Sequence, residues 1–370
     1  MILLIILGIA GGYQLFALLA CLKRMTFRER PSSFTPGVSI LKPILGADPA
    51  FFEAIRSHAL IDYPRFEILF GIRERATDTA VPHIERLIRE FPGVSIRIVD
   101  VTTETPNGKV GSMIDLAHAA RYPMLLVNDS DISVDPDYLR KVIAPLEREN
   151  IGLVTCLYRA TGSSFAGKFE AIGVDTEFAP STLVAPFVGI DEFALGSTLA
   201  VRRVDLDRIG GFQAIAEYIA DDYQLGHKIH ALGLKCYLAE SVVETHLGAA
   251  TFLDAWQHQV RWARTIRACR GGGYMGLPVT FATVWVLVGL GAGLIVPALA
   301  VLAARMLLAL VSSLFVLRAK SDRWMLLFVP LRDLWSAAVW VAGLMDRKVY
   351  WRDFTMELAP DGKIIRSERS

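Results

Sequence analysis

The chain has 370 residues, 53% of them hydrophobic and 21% charged, with 39 basic against 38 acidic side chains and a formal net charge of +1. That balance lacks the strongly basic character of a nucleic-acid partner, so no nucleic acid is expected. The apolar fraction is high for one soluble domain and the charged fraction high for a polytopic transporter, so the distribution along the chain decides.

Residues 1–22 carry no charge and are long enough to cross a bilayer, which takes roughly 20 apolar residues. The run lacks a basic n-region and is long for a signal-peptide core, so an anchor is expected. The weaker alternative is a lipoprotein-type cleavage site at "LLAC", Leu18 to Cys21. Lys23, Arg24, Arg28 and Arg30 follow, and the positive-inside rule then puts the next domain in the cytoplasm. The four cysteines are scattered without a CxxC pair, which fits a reducing compartment and neither a disulfide framework nor a zinc site.

Residues 36–270 read as an α/β domain. "VSILKPI", "FEILFGI", "VSIRIVDV" and "MLLVNDSD" are short apolar, β-branched runs, each followed by a helical stretch. That order predicts a mainly parallel, Rossmann-like sheet with right-handed crossovers and a ligand site beyond the carboxyl ends of its strands. No GxGxxG or GxxxxGK[ST] is present, so a dinucleotide or P-loop site has no support. After Ile151, "IGLVTCLYRA", "FALGSTLAVRR" and "KCYLAESVVETHL" read as strands, and 163–190 as a long mixed segment. This half is expected to complete the sheet and line the acceptor side of the site. "FLDAWQHQVRWARTIRACR" reads as an amphipathic interfacial helix, with Arg264, Arg267 and Arg270 facing anionic lipid.

Residues 277–345 read as C-terminal membrane helices. The stretch 277–317 is long enough for two crossings; Trp324 to Leu344 contains Pro330, Arg332 and Asp333 and reads as re-entrant or interfacial, with a third crossing as the alternative. The tail, 346–370, is basic at Arg347, Lys348 and Arg352. The whole is expected to be an integral membrane protein, in a bacterium of the inner membrane.

Three motifs carry chemistry. "VNDSDI" ends an apolar strand with Asp129 and Asp131; carboxylates at i and i+2 can hold Mg2+ or Mn2+ against diphosphate oxygens, and the same residue types also make an Asx-turn or a helix cap. Asp221 and Asp222 precede the helical "YQLGHKIHALG". One could cap that helix, which leaves the other for general-base work. "HQVRW", His258 to Trp262, offers a guanidinium, Arg261, for a departing diphosphate beside the indole of Trp262.

In their order these motifs resemble the GT-A glycosyltransferases that use UDP-sugars at membranes, above all the ceramide glucosyltransferase family and its bacterial hopanoid-associated relatives. "LKPILGADP", "DYPRFEILFGI", "NGKVGSM", "VNDSDI", "ALGSTLAVRRVDLDRIGGF", "YIADDY" and "RWARTIR" cover nearly the whole soluble domain in family order. The resemblance implies donor contacts at Asp129 and Lys109, a metal at Asp131 with Asp129, a general base at Asp222 with Asp221 as acidic neighbour, and Arg261 and Trp262 closing on the diphosphate. Glu74 falls where the family's uracil-contacting aspartate sits, one methylene longer. His258 replaces Gln or Arg, and Asp131 stands where animal-type relatives can carry glycine. His246 in "VVETHLG" is an extra metal or phosphate ligand or, more simply, a structural histidine.

The implied reaction is inverting transfer of glucose or N-acetylglucosamine from a UDP-sugar to a hydroxyl of ceramide or a hopanoid. A processive polysaccharide synthase shares the motifs but needs more membrane helices. A non-catalytic sugar-nucleotide-binding scaffold would be expected to have lost one of the motif residues, and a glycosidase would need two carboxylates without the rest.

Overall fold

The computed structural model describes residues 1–48, 50–248, 251–320, 322–351 and 354–369. They divide into two compact units, Arg28–Tyr158 with Asp191–His246, and Met1–Phe27 with Arg159–Ile190 and Leu247–Ser370. The expected single domain of residues 36–270 is therefore split: 159–190 and the helix that follows 247 group with the terminal helices.

The first unit is built on an eight-stranded sheet of order β3-β2-β1-β4-β7-β6-β8-β5. Its strands are β1 (Val38–Pro43), β2 (Phe66–Ile72), β3 (Ser95–Asp100), β4 (Met124–Val127), β5 (Ile132–Ser133), β6 (Ile151–Gly162), β7 (Leu199–Arg202) and β8 (Lys235–Leu247). β1 to β4 run parallel, as strands joined by helical crossovers must. β7 runs antiparallel to both β4 and β6, and β5 antiparallel to β8, so the sheet is mixed. Helix Gly108–Ala119 packs on it, burying Val110, Met113 and Leu116 with Leu41, Leu69, Leu125 and Leu199. Because β1, β2 and β4 point the same way, their carboxyl ends share one edge, where the loops carrying Glu74 and Asp129 begin.

Among the described residues of the second unit three helices are long and apolar enough to cross a membrane: Ile2–Thr26, Ile295–Val316 and Arg323–Met345. A further apolar pair, Gly271–Thr280 and Ala282–Gly291, is bent by 52°. The first half of 277–317 belongs to this bent pair, and the run 324–344, read as re-entrant or interfacial with a third crossing as the alternative, lies in a helix of spanning length.

Its charges explain why. Pro330 sits in the first turn of the Val329–Met345 segment, where its missing N–H costs nothing. Asp333 is not exposed to lipid but buried against Arg305, with Arg305 Nη2 2.8 Å from Asp333 Oδ1. The Thr283 hydroxyl donates to Asp333 Oδ2 at 2.8 Å, and Arg305 Nη1 donates to the Thr176 carbonyl at 3.0 Å. A buried charge is tolerable when it is paired and hydrogen-bonded in this way.

Segment 163–190, expected to be mixed, is mostly helical: Phe165–Gly173, a π turn Val174–Phe178, and Ala179–Val184. It starts at a Ser164 cap that accepts the Gly167 N–H at 2.9 Å. Both faces are largely buried, so the polar periodicity that betrays a helix is missing.

Helix Phe252–Cys269 begins in a capping box of Thr251 and Asp254. Arg264 and Arg267, expected to face anionic lipid, bond to backbone carbonyls. Arg267 donates to the carbonyls of Leu344 at 2.7 Å and Asp346 at 2.6 Å, and Arg264 to that of Lys348. The unsatisfied carbonyls at a helix C-terminus attract guanidinium donors. The basic tail folds into an antiparallel sheet of β9 (Lys348–Trp351), β10 (Phe354–Leu358) and β11 (Ile364–Arg369); Arg352 lies outside the described residues.

Candidate active site

Four charged side chains converge at the carboxyl edge of the parallel strands. Asp129 lies two residues past the end of β4. Lys109 sits in the first turn of helix Gly108–Ala119, whose cap, Asn107, accepts the Lys109 N–H at 3.2 Å and donates from Nδ2 to the Tyr218 carbonyl at 2.8 Å. One amide thus ties the start of this helix to the stretch that leads into Asp221. Lys109 Nζ lies 2.8 Å from Asp129 Oδ1 and 3.0 Å from Asp221 Oδ2. Burial alone would lower the Lys109 pKa, but the carboxylates of Asp129 and Asp221, and Asp222 beyond them, outweigh it and hold the ammonium charged.

Asp222 is held by two backbone donors: Gly196 N–H to Oδ2 at 2.8 Å and Tyr223 N–H to Oδ1 at 2.7 Å. Burial first, and then the charge of Asp221, push its pKa up to about 6, with Lys109 pulling the other way. A carboxylate tuned there accepts a proton near neutral pH. Asp221 makes no side-chain cap at the start of helix Asp221–Ala231. Of the roles expected for it, capping is absent, and its charge bears on Lys109 and Asp222 instead. A Cβ at Gly196 would stand 3.3 Å from Asp222 Oδ2, 3.4 Å from Asp129 Oδ2 and 3.7 Å from Lys109 Nζ, so glycine keeps this point open between the carboxylates.

Asp131 is bonded by the Thr245 hydroxyl across the β5–β8 pairing. Burial, then the charge of Asp129, raises its pKa. Asp129, already paired with Lys109, and Asp131 would fit a divalent cation as a partial site, leaving diphosphate oxygens and water to complete its shell. Among the described residues no group of three or more His, Cys, Asp or Glu is placed to hold a metal ion, so His246, beside Thr245 on β8, completes no such group. Glu74 lies exposed in the loop after β2, accepting from the Thr77 hydroxyl at 3.3 Å; it shares the sheet edge without joining the Lys109 cluster.

Beneath the Asp129 turn lies a network that the sequence reading did not single out. Lys42 is fully buried in β1, with Nζ 3.4 Å from His58 Nε2. His58 donates from Nδ1 to the Ala54 carbonyl at 3.0 Å and approaches Asn128 Oδ1 at 3.3 Å. Burial, then Lys42, pushes the imidazole down to about 3, so it is neutral. Burial pushes Lys42 down to about 7, against the pull of Asp131 and Asp129. The signal was present, since Lys42 is the lone charge in an otherwise apolar strand.

In the second unit, Arg261 lines a cavity of about 250 Å³ with Leu253, Trp256, Val260, Arg264 and Tyr350. Trp262 meets the ring of His258 edge-on at 4.7 Å and that of Phe178 at 6.2 Å. His258 Nδ1 is 2.6 Å from Glu170 Oε1.

Residues 2–364 match the model of glycosyl transferase family 21. Ceramide glucosyltransferase 1 of Caenorhabditis elegans is 28% identical over 244 residues, covering 65% of this chain and 52% of its own length. The ceramide glucosyltransferase of Komagataella phaffii is 32% identical over 131 residues, 34% of this chain and 25% of its own. The chain spans about half the length of the first of these relatives. Among solved structures, a mannosyltransferase from Pyrobaculum calidifontis in complex with GDP-Man and Mn2+ superimposes with a TM-score of 0.58 at 18% identity, over 93% of this chain and 98% of that one. The fold is GT-A, mixed but mostly parallel, with apolar helices at both ends as candidate spans. The family model reaches from the N-terminal helix into the C-terminal sheet, and the chain belongs to glycosyl transferase family 21.

Proposed function

We propose that the protein transfers a hexose, glucose or N-acetylglucosamine, with inversion from a UDP-sugar to a hydroxyl of a membrane lipid, ceramide or a hopanoid. The observation that carries this reading is Asp222: a carboxylate with its pKa pushed up to about 6, fixed by two backbone donors beside the Lys109 cluster.

Asp222 takes the proton of the acceptor hydroxyl as the oxygen attacks the anomeric carbon. The bond from that carbon to the diphosphate breaks, and UDP leaves with the electron pair. Lys109 holds positive charge beside Asp129 at the donor's side, and Gly196 leaves room for it. Asp129 and Asp131 would hold Mg2+ or Mn2+, which neutralises the leaving diphosphate. Arg261 and Trp262 are assigned to the diphosphate from the family motif alone, and Glu74 to the uracil on the same ground. Apolar helices at both ends support a lipid acceptor presented from the bilayer, and Lys23, Arg24, Arg28 and Arg30 support a cytoplasmic catalytic domain.

The test is UDP release by purified protein in lipid, from UDP-glucose and UDP-N-acetylglucosamine, with ceramide or a hopanoid polyol added. Acceptor-dependent release that disappears in Asp222→Asn supports the reading. Binding of the sugar nucleotide without turnover with any acceptor overturns it.

A further inference from the structure

Glu170 belongs to no motif of the resemblance, yet it is one of the most enclosed charged groups in its unit. It is 2% exposed, on helix Phe165–Gly173. One oxygen, Oε1, lies 2.6 Å from His258 Nδ1, while Oε2 has no hydrogen-bond partner. Burying a carboxylate is costly unless it is held, so the bond to His258 carries weight. The Arg332 guanidinium also interacts with it electrostatically.

His258 in turn touches Trp262, one helical turn on, with ring centroids 4.7 Å apart and planes at 62°. Phe178 touches the same indole from the helical run that carries Glu170. Between Glu170 and Phe178 the π turn Val174–Phe178 absorbs one extra residue. Their separation is then close to two whole turns, roughly seven α-helical residues plus the one absorbed, and both side chains reach the same face. The indole is therefore gripped twice by one segment.

We propose that Glu170 is a positioning residue. Through His258 it fixes the indole of Trp262, as a buried carboxylate–imidazole pair packed against the ring. Its kinetic consequence rests on the reading above; its geometric consequence does not.

The test uses the full chain in lipid nanodiscs with its seven tryptophans replaced by 5-fluorotryptophan, the Trp262 fluorine resonance being assigned by Trp262→Phe. Glu170→Gln should shift and broaden that resonance and lower kcat by at least roughly tenfold, the scale of a lost charged hydrogen bond, with KM for the UDP-sugar within about twofold. In a His258→Gln background, Glu170→Gln should change neither quantity by more than about twofold. His258→Phe, which breaks the same pair from the other side, should reproduce the shift and keeps the test open if Glu170→Gln misfolds. An unmoved Trp262 resonance, or an equal loss in both backgrounds, overturns the proposal and assigns Glu170 to Arg332. If wild type turns over no sugar nucleotide, the glycosyltransferase reading fails and the resonance still decides the positioning role.

Discussion

Asp222→Asn should move activity and stability in opposite directions. The folded protein holds this carboxyl at about 6 against an ordinary 3.8. For an acid with a raised folded pKa, the folded state binds more protons than the unfolded one between those values. Stability is therefore lost as pH rises from about 4 to about 6, and the deficit is fully present at pH 7. A shift of about two units corresponds to about 3 kcal/mol. Asparagine removes the charge but can accept only one of the two backbone N–H groups well, which returns about 1 kcal/mol. The variant should thus be more stable than wild type by about 2 kcal/mol at pH 7, while turnover falls by about 10²–10⁴-fold. Thermal unfolding in lipid at pH 7 and at pH 4 reads the first effect, and UDP release the second. The stabilisation should vanish at pH 4. A variant that melts below wild type at pH 7, or a difference independent of pH, would refute the view that Asp222 is held against its own ionisation.

The point between the carboxylates should be as sensitive as the carboxylates. Gly196→Ala brings a methyl to 3.3 Å of Asp222 Oδ2 and 3.4 Å of Asp129 Oδ2, so UDP-sugar binding should weaken at least about tenfold with little change in melting temperature; unchanged titration calorimetry would count against it. Asp131→Asn should weaken Mn2+ binding, read by paramagnetic resonance without substrate, and chelation of wild type should stop turnover until Mn2+ is restored. In the helical unit, Asp333→Asn leaves Arg305 buried without its counter-charge and should cost about 3–5 kcal/mol, whereas Arg305→Met with Asp333→Leu should cost far less. Equal melting temperatures for the single and double variants would show that the pair is not coupled.

The parallel half of the sheet was legible almost residue by residue: "FEILFGI" is β2 from end to end, because strands buried on both faces are nearly continuous apolar runs, here broken only by Glu67. The sequence also brought forward Lys109, Asp129, Asp221 and Asp222, which meet through bonds no spacing rule encodes. Lys42 and His58 escaped notice because their meaning lies in a contact between β1 and the next helix. Segment 163–190 escaped for a related reason: a helix buried on several faces shows no period to read. The third helix of spanning length was obscured by Arg332 and Asp333; the cost of Asp333 was weighed one helix at a time although Arg305, on another helix, offsets it.

That pairing has a consequence for how the protein enters the bilayer. Arg305 or Asp333 alone, at mid-membrane depth, would make insertion of its helix less favourable by about 2.5–3.5 kcal/mol. Neither helix is then at ease until the other arrives, and the link from Arg305 to the Thr176 carbonyl adds a requirement for chain made much earlier. Ile295–Val316 and Arg323–Met345 are best delivered to lipid as a hairpin onto an already folded Val174–Phe178 turn.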